Sequence, residues 1–562
     1  MLRAMHRAAL LALAASCCPD PVVKPVAPPA AGFAQLAQTV FSHLMDLEPS
    51  RAINAGLHDH DGQLADRSPK GLAAETASLH ADRDALEHVA PASLTPLQRD
   101  ERDVLLHEIR GRLFRLVDLD AYRTNPLVYI ESVALDAYIV RDYAPAAQRA
   151  AAVIATCKQL PAYLAQARAN LARPMPQPWL ETALLQTHGM ADFVDTDIRA
   201  ELPTTAPALA ACKAAFVEHA AWLEAQLAHA TSGFALGKDR FLRMLSDTQG
   251  IELDLPRLQQ LADADLARNT AALEEAARAI DPSKPVAEVV AAQAADRPAA
   301  AGVLALATDQ AAMLRRFLID QHVVTIPSDD VAAVRPSPPF KRWNAAFLDA
   351  PGPFEQKSLP SYYYISPPDP TWPAAKQEAY IPPKADLLFT TVHEVYPGHF
   401  LHSLHIHKNP SKILQVFKTY STGEGWAHYC EEMMYDAGLG GRTPQVRIGM
   451  LKDALLRNVR FVVALGEHTG GMTPEQAQQL FLDRAYVDPG NAHQQAVRGT
   501  FDPMFLSYTL GKLVIRKLHA DWQVAHPGGT LQAFHDELLS HGAAPLPVIR
   551  RDMLGDAAGP PL

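Results

Sequence analysis

Hydrophobic positions along most of this chain recur with the period of an α-helix. From about residue 33 to 322, Ala- and Leu-rich segments repeat with helical spacing, and the strict alternation of a half-buried strand is almost missing. Pro174, Pro176 and Pro178 break one such segment sharply, and Asp281-Pro282-Ser283 with Lys284-Pro285 marks a later loop. The character changes at Val323-Val324-Thr325-Ile326-Pro327, after which prolines cluster through Pro383. Inside that stretch Ser361-Tyr362-Tyr363-Tyr364-Ile365-Ser366, short, aromatic and flanked by turn residues, is the best strand candidate. Helical spacing resumes after Pro383. Leu388, Val392 and Val395 fall at i, i+4, i+7 as a buried stripe, and Trp426, Tyr429, Cys430, Met433 and Met434 form another. The pattern predicts a mainly α protein with one small β element and no internal repeat of fixed period.

Length and composition sharpen this picture. With 562 residues, high hydrophobic content and ordinary charge, the chain is expected to pack as a globular protein, and from 33 to 562 as a single large domain. The net charge of −11 and the lack of a long basic run argue against nucleic acid as a partner. The first 18 residues resemble an export signal: Arg3, His6 and Arg7 precede an apolar run from Ala8 to Ala15 that is too short to span a bilayer. Small residues ending at Cys17 or Cys18 resemble a lipobox, although Leu13 stands one place early, so cleavage near Ala15 and a misassigned start stay open. Residues 19–32, rich in Pro, Ala and Val, read as a tether. The expected location is the periplasm or cell envelope, with the membrane touched only through an N-terminal lipid. Cys157, Cys212 and Cys430 are odd in number and scattered, which suggests core thiols rather than a disulfide framework.

The chemistry is concentrated between 393 and 432. His393-Glu394-Val395-Tyr396-Pro397-Gly398-His399 is followed by Glu424-Gly425-Trp426-Ala427, with Tyr429 and Glu431 behind it. Two imidazoles, a carboxylate beside the first and another on a separate helix make up the inventory of a catalytic zinc site with an open position. His393 and His399 lie six apart rather than four, about 120° around a straight helix at about 100° per residue. Pro397 and Gly398 between them suggest a two-residue bulge that returns His399 towards the metal. Glu424, His428 and Glu431 share the polar face of the second helix.

H-E-x-x-P-G-H followed by E-G-W-A-x-Y-x-E resembles the bacterial family catalogued as domain of unknown function 885, whose members resemble zinc metallopeptidases of the gluzincin type. The second motif is also similar to N-E-G-F-A-x-Y-x-E of the aminopeptidase N family, in which the first Glu is the third zinc ligand. The likeness extends over most of the chain. Pro49-Ser50-Arg51-Ala52 with Gly56-Leu57-His58 matches the family's opening motif, Leu160-Pro161-Ala162-Tyr163-Leu164 a mid-chain helix start, and Ser507-Tyr508 with Gly511-Lys512-Leu513 its C-terminal signature. The chain departs from the family in having Arg498-Gly499 for an Arg-Tyr pair, and Pro503-Met504-Phe505-Leu506 for Pro-Gly-Gln-Ala. The resemblance implies a helical zincin-like fold with Zn2+ held by His393, His399 and Glu424. It selects His399 over His402, His405 and His407, whose spacing reads as a polar stripe facing solvent or the site's approach. His428 competes with Glu424, but the related motif has an apolar residue there.

Glu394 is then the general base for the attacking water, and Glu431 an acceptor for a ligand histidine's free ring N–H. Tyr508 and Arg498, carried over by the resemblance, are candidate donors to the developing oxyanion. A strand at 361–365 serves either as ordinary packing or as an edge that pairs with extended substrate. His58, Asp59, His60 and Asp61 read as a polar loop. The expected function is a secreted zinc metallopeptidase acting on small peptides. A metal-dependent amidase with a non-peptide or cell-wall substrate and a non-catalytic envelope binding protein are the alternatives. No G-x-S-x-G elbow points to a serine hydrolase.

Overall fold

The computed structural model describes residues 30–171, 174–342, 344–555 and 558–562. The leader and nearly all of the tether lie outside them, and Ala30–Gly32 already belong to the first helix. The elements used below are, in chain order, α1 (Ala30–Leu47), α2 (Pro96–Leu113), α3 (Ala146–Asn170), α4 (Gln177–Phe193), α5 (Ala206–Gln226) and α6 (Leu255–Ile280), then strands β1 (Ala332–Pro336), β2 (Ala346–Asp349) and β3 (Ser361–Ile365), then α7 (Lys384–Glu394), α8 (His399–Lys408), α9 (Tyr420–Asp436), α10 (Pro444–Leu465), α11 (Pro489–Phe501) and α12 (Ser507–Ala525). Many helices start on a Thr-Pro or Asp-Pro step. The Thr or Asp side chain accepts from a first-turn N–H while proline supplies the helical φ, as at Thr95, Thr443 and Asp488.

Two hydrophobic cores form. One is built by residues 127–223 with Ile53, chiefly α3, α4 and α5. The larger takes in α1, α2, α6 and everything from the sheet to the C-terminal helices. Polar ties cross between them: Trp179 Nε1 donates to Thr500 O at 3.0 Å, Arg141 pairs with Asp349 at the end of β2, and His58 stacks on Tyr143 at 3.7 Å while reaching Glu355 at 3.1 Å. The His58–Asp61 segment is therefore a partly buried ionic joint rather than a free polar loop.

The three-stranded sheet has the order β1-β3-β2, with β1 parallel and β2 antiparallel to β3. The segment 361–365 is a strand as its composition predicts, but it is the central one, with Tyr363 fully buried and its hydroxyl 3.3 Å from Thr391 Oγ1 of α7. An edge role cannot fall to it. The edge beside α7 is β2.

Two further expectations are corrected. Cys157 and Cys212 form a disulfide that joins α3 to α5 across 55 residues, with Cα atoms 4.8 Å apart, whereas Cys430 is a buried free thiol. Only the fold could bring cysteines that far apart into bonding reach. Leu160–Leu164 lies inside α3 and does not start it, with Pro161 within the helix. None of the described helices is long and apolar enough to cross a membrane.

Candidate metal centre

Leu388 and Val392 of α7, with Val395 just past its end, sit in the larger core, and this fixes His393 and Glu394 at the helix's last turn. The bulge inferred from spacing is instead a complete break. α7 stops at Glu394, the Tyr396-Pro397 peptide is cis, and α8 starts afresh at His399. The azimuth of a straight helix therefore does not apply. Gly398 folds so tightly against the end of α7 that a Cβ there would stand 1.8 Å from His393 O, and Trp426 Nε1 of α9 donates to Pro397 O at 2.9 Å. The break is thereby pinned to the helix that carries Glu424.

The structure brings His393, His399 and Glu424 together, with one potential ligand atom from each lying within 4.8 Å of the others. Glu424 Oε2 is 3.4 Å from His393 Nε2 and 3.3 Å from His399 Nε2, and the two rings stand nearly perpendicular with centroids 4.8 Å apart. Oε2 is a buried oxygen with no hydrogen bond of acceptable geometry, which is costly unless something else meets it. Zinc bonds of about 2.0–2.1 Å at tetrahedral angles would put neighbouring ligand atoms about 3.3 Å apart. The donor set, the orphaned oxygen and the spacing all fit that ion. Glu424 keeps 25% of its side chain exposed and His399 keeps 16%, so the group is reachable from solvent.

His393 Nδ1 lies 2.7 Å from Glu431 Oε1. Arg457 Nη2 also stands 3.2 Å from Nδ1, but the shorter contact is to a carboxylate, which only accepts, and this favours the hydrogen on Nδ1 with Nε2 facing Glu424. Burial by itself would lower the His393 pKa, as would Arg457, but contacts with Glu424 and Glu431 push it up to about 9. Burial opposes the charge on Glu424, yet the two imidazoles hold it well below the usual carboxylate range. A metal ion requires the neutral imidazole, so loading would displace protons from this cluster.

Glu394 is buried, and its Oε2 accepts from Leu348 N–H of β2 at 2.9 Å. That N–H points away from the β3 ladder, so the sheet edge anchors one carboxylate oxygen. The other makes no hydrogen bond and is not sealed from solvent. Tyr508 lies nearly parallel to His393 with centroids 6.1 Å apart, and burial raises its pKa. Arg498 does not reach the triad. It donates to Asp502 Oδ2 at 2.9 Å and to Tyr420 Oη at 2.7 Å, and Tyr420 in turn sets its ring edge against Tyr508. His428 is buried beside Glu431 at 3.3 Å, with burial pulling its pKa down to about 3, and it stands outside the converging group. His402, expected at solvent or the approach, is buried and bonded to Gly542 O at 3.1 Å.

The close approach of α9 and α12 puts Tyr508 opposite Glu424. Gly425 and Gly511 meet there, and a Cβ on Gly425 would stand 2.6 Å from Gly511 Cα. Lys512, fully buried, binds Asp265 of α6 at 2.7 Å and reaches Glu432 at 3.5 Å. The C-terminal signature thus includes a structural ion pair. Gly499, where the family pattern has Tyr, leaves room that Glu467 fills; a Cβ there would stand 2.2 Å from Glu467 Oε2.

Comparison with known proteins agrees in extent with the motifs. The profile of the family described as bacterial protein of unknown function (DUF885) matches residues 49–553. The chain belongs to this family. No curated protein matches it. Solved structures that share its fold include two lipoprotein candidates. One is a candidate lipoprotein of unknown function from Shewanella oneidensis, 23% identical, covering 93% of this chain and 99% of its own, with a TM-score of 0.78. The other is a candidate lipoprotein from Colwellia psychrerythraea, 19% identical, covering 94% and 99%, also with a TM-score of 0.78.

Sequence reasoning missed Arg457 and Arg460 of α10. Arg457 binds Glu431 Oε1 at 3.0 Å, and both guanidinium groups stand over the Tyr508 ring, at 5.6 and 4.9 Å from its centroid. Asp453, Arg457 and Arg460 stand at i, i+4, i+7 on α10, a helix that also carries Arg447, Lys452 and Asn458, so their shared face is the only signal the sequence offers.

Proposed function

We propose that this DUF885 protein is an exported, zinc-dependent hydrolase, a metallopeptidase that cleaves small peptides. The observation that carries the reading is the convergence of His393 Nε2, His399 Nε2 and the orphaned Glu424 Oε2 beside a carboxylate with one anchored and one free oxygen. A zinc ion held by His393, His399 and Glu424 supplies Lewis-acid polarisation of a carbonyl and acidifies water. The chain's own groups do the rest. Glu431 fixes the His393 tautomer. Glu394, held through Oε2 by Leu348 N–H, takes a proton from the attacking water on Oε1 and returns it to the leaving nitrogen. The Tyr508 hydroxyl donates to the oxyanion that forms on the carbonyl. Arg498 acts at one remove, through Tyr420 on Tyr508. The helical frame, with a sheet edge against the helix bearing Glu394, supports the zincin-like relationship that the motifs imply.

An envelope location has three supports. They are the leader's resemblance to an export signal, the lipoprotein character ascribed to both fold neighbours, and a disulfide of the kind that persists in oxidising compartments.

Elemental analysis tests the reading first: one zinc per chain is expected, and protein that holds no transition metal after reconstitution would overturn it. Glu424→Ala should abolish stoichiometric zinc while His428→Ala keeps it. Screening against a peptide library with and without chelator then separates a peptidase from an amidase and from a binding protein.

A further inference from the structure

Three guanidinium groups surround Tyr508, and two have acids. Arg457 is paired with Glu431 at 3.0 Å and Asp453 at 3.8 Å, and Arg498 with Asp502 at 2.9 Å. Arg460 has none. It is only 8% exposed, yet no described carboxylate lies within ion-pair distance, and its one hydrogen bond runs from Nε to the neutral Gln495 Oε1 at 2.9 Å. The two terminal nitrogens have no partner among the described residues and are not sealed from solvent. Arg460 therefore lies within reach of solvent while its guanidinium covers one side of the Tyr508 ring, 4.9 Å from the centroid. Burial, reinforced by the nearby Arg498, pulls its pKa below the usual guanidinium value. A cation taken out of water without a counter-ion is costly to hold, as is one partner of a buried pair left alone. Such a cost is tolerated where a ligand brings the missing charge, and a planar guanidinium with two free nitrogens matches the two oxygens of a carboxylate.

We propose that Arg460 binds a carboxylate of the substrate, and so makes this a site for peptides with an acid group close to the bond that is cut. The proposal rests on the metallopeptidase reading. It deepens that reading by naming the substrate class. Tyr508 neighbours both Arg460 and His393, its ring centroid 4.9 Å from the guanidinium of one and 6.1 Å from the ring of the other, and a peptide spans about 3.4 Å per residue. A carboxylate on Arg460 is thus within a few residues of a carbonyl at the metal centre. A free C-terminus fits this, so the expected reaction is release of a short C-terminal fragment. Water adds across the C–N bond: its O–H goes to the carbonyl carbon and its other hydrogen to the leaving amine, and the new carboxylic acid then gives its proton to that amine to leave a carboxylate and an ammonium.

The test is titration calorimetry on zinc-loaded Glu394→Gln protein, which binds without turning over. The probes are Ala-Ala-Ala as the free acid, as the C-terminal amide, and Ala-Ala-Asp amide. The free acid should bind about ten- to a hundredfold more tightly than the amide, the range of a charge-assisted hydrogen-bonded contact, and Arg460→Gln should erase the difference. If Ala-Ala-Asp amide matches the free acid and loses its affinity in Arg460→Gln, the carboxylate comes from a side chain and the subsite stands. Equal affinity for acid and amide with Arg460 intact, or no binding of any probe, overturns the proposal without recourse to a variant that could fail to fold. Preference for the acid in a protein that cleaves no peptide would keep the subsite and remove the peptidase. A fall in kcat on acid and amide alike in Arg460→Gln, with no change in their relative KM, would make Arg460 an oxyanion donor and overturn substrate recognition.

Discussion

Glu431 Oε1 lies 2.7 Å from Nδ1 of His393, and the same carboxylate is clamped from behind by Arg457 Nη1 and His428 Nδ1, at 3.1 and 3.3 Å from Oε2. One buried acid thus orients an imidazole of the candidate centre while neutralising a buried guanidinium. Its place is set by the apolar stripe of α9, because Trp426, Cys430 and Met434 fill the core and turn Glu424 and Glu431 the other way.

Glu431→Gln should lower zinc affinity about 10–100-fold, the usual loss when a ligand histidine's outer partner is altered. Gln keeps the shape but accepts through one oxygen only and carries no charge against Arg457. Glu431→Ala should do more, destabilising the fold by about 3–5 kcal/mol, since Arg457 would be left buried and unpaired. Competition against a fluorescent chelator reads the first effect and urea denaturation the second. Unchanged zinc affinity in the Gln variant would show that Glu431 serves the fold alone.

Glu394→Gln should keep zinc and lose turnover. Gln can still accept from Leu348 N–H, so the loop and sheet contacts survive, but it cannot take a proton. General-base catalysis is worth about 10²–10⁴-fold, and the loss should fall on kcat rather than on substrate affinity. Full activity in this variant on a peptide the parent cleaves would remove Glu394 from the base role.

Much of this arrangement is legible in the chain because helices announce themselves by period. The stripes at 388–395 and 426–434 and the aromatic strand at 361–365 all stand where apolar spacing puts them, and the family motifs bring His393, His399 and Glu424 into one argument. What stays hidden depends on contacts between distant segments. β2, four residues of unremarkable composition, takes its meaning from pairing with β3 and offering Leu348 N–H to Glu394. The Cys157–Cys212 bridge needs α3 and α5 packed side by side. Asp453, Arg457 and Arg460 look like a solvated helix face until α10 is seen against α9 and α12. The break after Glu394 is foreshadowed by Pro397 and Gly398, but local geometry alone does not tell a bulge from two separate helices.

Gly425→Ala should disturb the centre from outside it. The added Cβ would stand 2.6 Å from Gly511 Cα and 3.1 Å from Lys512 N, all backbone, so α9 and α12 must separate. Overpacking of this sort costs about 1–3 kcal/mol, and here it also shifts Glu424 relative to Tyr508. Thermal unfolding and zinc titration should both move. A variant with the parent's midpoint and affinity would mean that the helix crossing yields without strain.

The joint at His58 should give stability a pH dependence of known sign. Burial lowers the pKa of this histidine, but hydrogen bonds to Asp61 and Glu355 outweigh that and push it up to about 9 from an ordinary 6.5. Tyr143, stacked on the ring, donates its hydroxyl to Asp61 and keeps that carboxylate in place. A pKa raised by folding means that the folded state holds the proton more tightly than the unfolded chain. The contribution is therefore complete below about pH 6.5 and is lost as pH rises through 9. With the side chain 19% exposed and the partners carboxylates, about 1–2 kcal/mol is expected after allowance for solvent screening. Other buried groups titrate in the same window, Glu467 near 8 among them, so the parent's slope alone does not isolate this one. The difference between parent and His58→Gln does. Urea midpoints measured from pH 6 to pH 10 should show the variant weaker at pH 6 and converging on the parent above pH 9. A constant gap across that range would assign the loss to stacking on Tyr143 and not to the proton.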